Sequence, residues 1–146
     1  MFLTARPSPQ AIERFICNSQ TLPLSDSPVG ILKTNTGRHD LDEEVVAIGR
    51  RQADFERAGS ALRAWKQFDI GWVELFPRRA PTAGTVVAVL IRHFGFWSLN
   101  GCRVVYVEGD RERDTRFGFA YGTLTNHAEA GEELFGVFLD PQTEEV

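Results

Sequence analysis

Between Arg116 and Thr123 the chain reads Arg-Phe-Gly-Phe-Ala-Tyr-Gly-Thr, a strict alternation that constrains the fold more than any other stretch. Period two is the mark of a β-strand, because successive side chains leave opposite faces of the backbone. Phe117, Phe119, Tyr121 and Thr123 then share one face, and Gly118, Ala120 and Gly122 leave the other nearly bare. Glycine inside a strand weakens it and marks the close approach of a backbone, a helix or a ligand. Something is therefore expected to sit close against the bare face, and a helix over 52–65 is one available filler. After Leu124 come Thr125 to Gly131, polar and rich in turn residues, and then Glu132 to Leu139 as a second strand. The expectation is a hairpin whose seven-residue loop carries His127 and Glu129.

The chain around this hairpin supplies further short strands. Thr85–Arg92 is apolar on both faces and β-branched, which reads as a buried strand. Ile70–Phe76 is a strand stopped by Pro77, and Cys102–Glu108 is another. Phe94–Trp97 is an aromatic loop or strand end, Asn100-Gly101 reads as a turn, and Gly109–Thr115 as a charged turn. Val29–Leu32 is a candidate edge strand. Val45–Ile48 is favoured as a short strand, and Thr143–Val146 looks like the start of one more.

Two segments have helical spacing. Ser8-Pro9 forms a cap and first turn ahead of Ala11, Ile12, Phe15 and Ile16. Over Gln52–Phe68, the residues Phe55, Ala58, Leu62 and Trp65 make an apolar core stripe. Consecutive strands joined by short turns predict an antiparallel β meander. Two helices packed on one face of it give an α+β fold. With no repeat or linker, residues 1–146 are expected to form a single domain.

Composition removes several functional classes. Sixteen basic and 20 acidic residues give a net charge of −4, which argues against a nucleic-acid partner. No apolar run approaches the roughly 20 residues of a membrane span, and the N-terminus lacks a signal-peptide run. Cys17 and Cys102 show no zinc or redox spacing and read as reduced, buried thiols. The expectation is a soluble cytoplasmic protein. His39 falls in a polar loop and His93 ends a buried strand in a structural role. Gly49, Gly71 and Gly84 form no dinucleotide or phosphate loop, and HExxH is absent, so no cofactor or metal is predicted.

Three sets of residues remain as site candidates. His127 with Glu129 and Glu132 has the chemistry of a general acid/base or of a metal ligand set. Against this stands a role in hydrogen-bonding the hairpin loop. Tyr121 and Thr123, with Phe119, either line a pocket or pack in the core with their hydroxyls satisfied locally. Trp72 and Trp97 extend the same apolar surface. Arg103 is a candidate anion anchor, or a cross-strand partner for Glu132 or Glu133.

The run Phe117–Leu124, followed by His127, Glu129 and Gly131-Glu132-Glu133, resembles the signature of the domain of unknown function 1990 family. Phe55 to Trp65 with Phe68, Gly71-Trp72-Val73, and Cys102–Tyr106 agree in the same order, from about Val29 to the end. The family pattern has Pro-Gly where Thr125-Asn126 stand, Pro at Ala128, Arg at Leu134 and a second Gly at Arg51. The resemblance implies a further strand and a C-terminal helix beyond Val146, so the chain is expected to be a shortened form. The implied element order is similar to the helix-grip fold of Bet v 1 and START-like proteins.

Three functions follow as expectations. The leading one is binding of a small apolar or amphipathic ligand in a cleft between sheet and helix, lined by Tyr121, Thr123, Phe119, Trp72 and Trp97, with Arg103 nearby. The alternatives are a hydrolase- or isomerase-type enzyme using His127 with Glu129 or Glu132, and a non-catalytic module that pairs through an exposed strand edge. The oligomeric state is left open.

Overall fold

Strand β3, Val86–Arg92, is apolar at nearly every position because both of its faces are covered. A computed structural model of the chain describes residues 1–25, 30, 42–109 and 114–146. Positions 29, 31 and 32 of the expected Val29–Leu32 strand, the His39 loop and positions 110–113 of the charged turn lie outside these residues. In chain order the elements are β1 (Phe2–Leu3), α1 (Pro9–Ser19), α2 (Arg51–Arg63), a 3-10 turn (Lys66–Phe68), β2 (Val73–Phe76), β3, β4 (Trp97–Glu108), β5 (Arg116–Thr123) and β6 (Glu132–Phe138). Strands β2 to β6 pair consecutively and antiparallel in one curled sheet. The α+β class and the meander are therefore as expected. Strand β1 is an addition, pairing Phe2 and Leu3 with Ser98 and Trp97.

The helices divide between the two faces instead of sharing one. Ile12, with Phe15 and Ile16, packs α1 onto Ala88, Leu90 and Leu99. Phe55 of α2, with Trp65 beyond its end, packs onto Val87, Val89, Cys102, Val104, Phe117 and Phe119. Alternation along β3 sends odd and even side chains to opposite sides, so its double-sided apolar run serves two cores. The aromatic face of β5 is thus the α2 face. The bare face is not filled by α2; at Gly122 it meets Leu24, whose Cδ2 lies 2.9 Å from where a Cβ would stand.

Helix α1 starts as its residues dictate. Ser8 Oγ accepts the Ala11 N–H at 3.2 Å, with Pro9 in the first turn. Helix α2 stops at Arg63, five residues earlier than the apolar stripe predicts, because Trp65 takes a left-handed backbone, φ 57°. That turn buries Trp65 completely, its indole N–H donating to the Arg79 carbonyl at 2.6 Å. It also swings Gln67 and Phe68 towards the sheet.

Asn100-Gly101 is not a turn. Both residues lie inside β4, opposite Val89 and Ala88, and are buried. Gly101 is there because the side chain of Asn126 occupies the space a Cβ would need. The turn between β3 and β4 is made by the aromatic segment, with His93 N–H on the Phe96 carbonyl at 2.8 Å.

Val45–Ile48 forms no strand. Instead Ile48 and Gly49 bond to Val146, and Arg50 bridges Glu145. Cys102 is buried as expected, but Cys17 is exposed on α1; both are free thiols. No helix among the described residues is long and apolar enough to cross a membrane.

Candidate functional site

The β5–β6 hairpin forms with the expected loop, and long-range tethers fix that loop. Leu124 N–H bonds the Gly101 carbonyl at 2.9 Å, and His127 N–H closes a turn on the Leu124 carbonyl at 2.8 Å. Asn126 Nδ2 donates to Ser19 Oγ at the end of α1 at 2.8 Å. Asn100 Oδ1 accepts the Ala128 N–H at 3.3 Å. Thr123 Oγ1 donates to the Gly131 carbonyl at 3.1 Å and accepts the Gly131 N–H at 2.9 Å. Asn100 is itself held by Ser98 Oγ at 3.0 Å, which meets His93 Nε2 at 2.9 Å. His93 is thus structural, stacked on Phe96.

On the α2 face the core does not fill the whole sheet. Trp65 meets Phe119 at 4.6 Å between ring centroids, edge to face, and closes that part completely. Past Phe68 a cavity of about 380 Å³ remains between the 3-10 turn, the ends of β2 and β3, and the loop. Its apolar walls are Phe68, Val73, Val89, Ile91 and Phe135, and its polar groups come from Gln67, Tyr121, Thr123, His127, Glu129 and Glu133. Apolar walls with a few convergent polar groups in this size range are the usual make-up of a small-molecule site.

The site candidates separate cleanly. Tyr121, Thr123, Trp72, His127, Glu129 and Glu132 line this cavity. Phe119 lies behind its wall, fully buried. Trp97 lines a second, shallower depression of about 850 Å³ around the β3–β4 hairpin, with the Arg92 guanidinium 5.9 Å from its ring. Trp72 borders both depressions. Arg103 lines neither depression: it donates to the carbonyls of Gln20 at 3.0 Å and Leu22 at 2.9 Å, closing the end of α1.

Gln67, Phe68, Phe135 and Glu133 complete the cavity and were not read from the sequence as its walls. The first two depend on the left-handed turn at Trp65, a position with no Gly or Asn to announce it. Glu133 carried a usable signal, since hairpin register sets it directly opposite Tyr121.

The Tyr121 hydroxyl donates to the Glu133 carboxylate. Burial, and then the charge of Glu133, hold this phenol well above the usual tyrosine range. The same two causes push the Cys102 thiol up. Burial holds the His127 imidazole below its ordinary value, against the opposing pull of Glu129. Its Nδ1 accepts the Glu129 backbone N–H at 2.9 Å, so the proton of the neutral ring sits on Nε2. Glu132 turns its carboxylate elsewhere, accepting the Gly30 N–H at 2.8 Å. Among the described residues no three His, Cys, Asp or Glu side chains converge as a metal ligand set.

The family described as Domain of unknown function (DUF1990) matches residues 29–146. A UPF0548 protein of Dictyostelium discoideum is 39% identical over 99 residues, covering 66% of this chain and 46% of that protein. A UPF0548 protein of Deinococcus radiodurans is 33% identical over an alignment of 154 residues, covering 92% of this chain and 73% of the relative. One of Arabidopsis thaliana is 26% identical over 149 residues, with the same coverage. The chain thus spans less than half the length of the Dictyostelium relative. No solved structure matches it.

Proposed function

The chain belongs to the domain of unknown function (DUF1990) family, and from that premise we propose that it binds a small apolar or amphipathic ligand in the cavity between Phe68, β3, β5 and the β5–β6 loop. The carrying observation is the cavity of about 380 Å³ itself, lined by apolar walls with a few polar groups among them. Tyr121 and Thr123 are buried and have their hydroxyls committed to Glu133 and Gly131, so they shape the wall. His127 offers Nε2–H as a donor. With Nδ1 engaged by the Glu129 N–H, the ring serves as an orienting group for a bound molecule and has no free lone pair for proton abstraction.

The test is a titration of Trp72 fluorescence with small neutral apolar probes, alongside native mass spectrometry of the protein from its own host. Saturable quenching that disappears in Ile91→Phe, where the larger ring occupies the cavity wall, is the expected result. Absence of saturable binding by any neutral probe, together with no co-purified small molecule, would sink the reading.

A further inference from the structure

We propose that the cavity selects a cation, specifically an amine carrying a compact apolar body, over a carboxylate or phosphate ligand. The inference rests on the ligand-binding reading above and gives that ligand its chemical class.

Charge comes first. Among the described residues that line the cavity, Glu129, Glu132 and Glu133 are acidic and none is Lys or Arg. Glu132 is committed to Gly30, which leaves Glu129 and Glu133 to face the space. Both act on the buried Tyr121 hydroxyl, which places their charge at the cavity wall. The Met1 α-amino group, which donates to the Leu99 carbonyl at 2.9 Å, is an opposing charge that acts on His127. An anionic ligand would enter against like charge, whereas an ammonium group is stabilised by both carboxylates.

The aromatic walls point the same way. Phe68, Tyr121 and Phe135 form a triad with centroid separations of 6.2, 5.8 and 5.9 Å. Ring faces within about 6 Å of a cation attract it, most strongly where water is thinned out. Trp72 adds a fourth ring at the mouth.

A third, independent observation concerns hydrogen bonding. The Gln67 amide oxygen and nitrogen are both shielded from solvent and meet no partner among the described residues. Buried amide groups are almost always satisfied, since leaving them unpaired is costly. An ammonium proton reaching Gln67 Oε1 supplies the missing donor there, while Nε2 takes an acceptor; the orphan amide therefore asks for a polar head group, and the carboxylates and rings set the sign of its charge.

The experiment uses three probes of one size at neutral pH: benzylamine as the cation, benzyl alcohol as the neutral form and benzoate as the anion. Binding is measured by calorimetry at low salt. Benzylamine should bind roughly tenfold more tightly than benzoate, with benzyl alcohol between them. In the double variant Glu129→Gln, Glu133→Gln the preference of benzylamine over benzoate should shrink to within about twofold. Both side chains belong to exposed residues, and a thermal melt of the variant checks that the fold is retained. Benzoate binding as well as benzylamine, or a preference that survives in the double variant, overturns the proposal. If benzyl alcohol binds without any charge preference, only this inference falls; if none of the three binds and no small molecule co-purifies, the ligand-binding reading falls with it.

Discussion

Alanine at Gly101 tests how the candidate site is anchored. Gly101 is buried in mid-strand, and a Cβ there would overlap the Asn126 side chain, whose Cγ and Nδ2 would lie at 3.2 and 3.3 Å. The overlap is with a side chain, so the backbone can stay while Asn126 rotates away. Rotation breaks the Asn126 Nδ2 to Ser19 Oγ bond of 2.8 Å, worth about 0.5–1.5 kcal/mol. Crowding a filled site adds about 1–3 kcal/mol, and removing a strand glycine returns about 0.5–1 kcal/mol. The net expectation for Gly101→Ala is a loss of about 2 kcal/mol, within the roughly 0.5–4 kcal/mol that these terms span, or a Tm lower by roughly 6 °C for a chain of this size. The informative comparison repeats the substitution on Asn126→Gly, the residue the family pattern carries there. Without that side chain Gly101→Ala should stabilise by about 0.5–1 kcal/mol, giving a coupling of about 1.5–4.5 kcal/mol in a double-mutant cycle. Urea denaturation of the four proteins measures it. Equal costs in the two backgrounds would refute the argument that Gly101 exists to admit Asn126.

Arg51 holds a left-handed backbone, φ 68°, at the start of α2, where the family pattern has Gly; its ion pair with Glu144, 3.4 Å and exposed, adds little. Arg51→Gly should therefore stabilise the protein by about 0.5–1 kcal/mol, since relief of a left-handed non-glycine residue exceeds glycine's entropic cost, and unchanged or lower stability in urea would count against this. Both tyrosines of the chain have raised phenols: Tyr121 well above the usual range, and Tyr106 up to about 12, each by burial first and then by neighbouring glutamates. A raised acid contributes stability that is complete below the unfolded value near 10 and is lost as pH rises past it. Tyrosinate absorbance should accordingly appear together with loss of the folded circular-dichroism signal in one alkaline step; one tyrosine ionising near pH 10 in an intact fold would contradict the burial described.

The strands and helices were legible where one periodicity ruled. The alternation of β5, the apolar run of β3 and the spacing of Ile12, Phe15 and Ile16 each had a single structural solution. Sequence reading failed where a tertiary neighbour decided the outcome. Asn100-Gly101 carries the local chemistry of a turn, yet Asn126, far along the chain, makes that glycine a strand residue. The stripe ending at Trp65 continues helically in sequence, but packing of Trp65 against Phe119 outweighs the cost of its left-handed backbone. The assignment of both helices to one face erred because a double-sided apolar run records burial without naming what covers each side. The same limit applies at the site. Tyr121, Thr123, His127 and Glu129 were found by their unusual types, whereas Gln67 and Phe68 were invisible, because only the turn at Trp65 brings them there. Arg103 and Phe119 were chosen by type as well, and their faces and depths placed one at the end of α1 and the other behind the wall.

Strand β3 is a party wall between two rooms. Val87 and Val89 face the chamber that holds the cavity, while Ala88 and Leu90 face the one closed by α1. The β3 side chains of one core are separated from those of the other by the backbone they share, and the route around that wall is the β5–β6 loop, which Asn126 ties to Ser19 at the end of α1. The α1 chamber can therefore drift in sequence while the cavity keeps its shape, provided the Asn126–Ser19 bond is kept. Conversely, the cavity can be reshaped at Val89 and Ile91 without renegotiating the seat of α1. A scan of β3 should separate these roles residue by residue, odd positions governing the shape of the cavity and even positions the seating of α1.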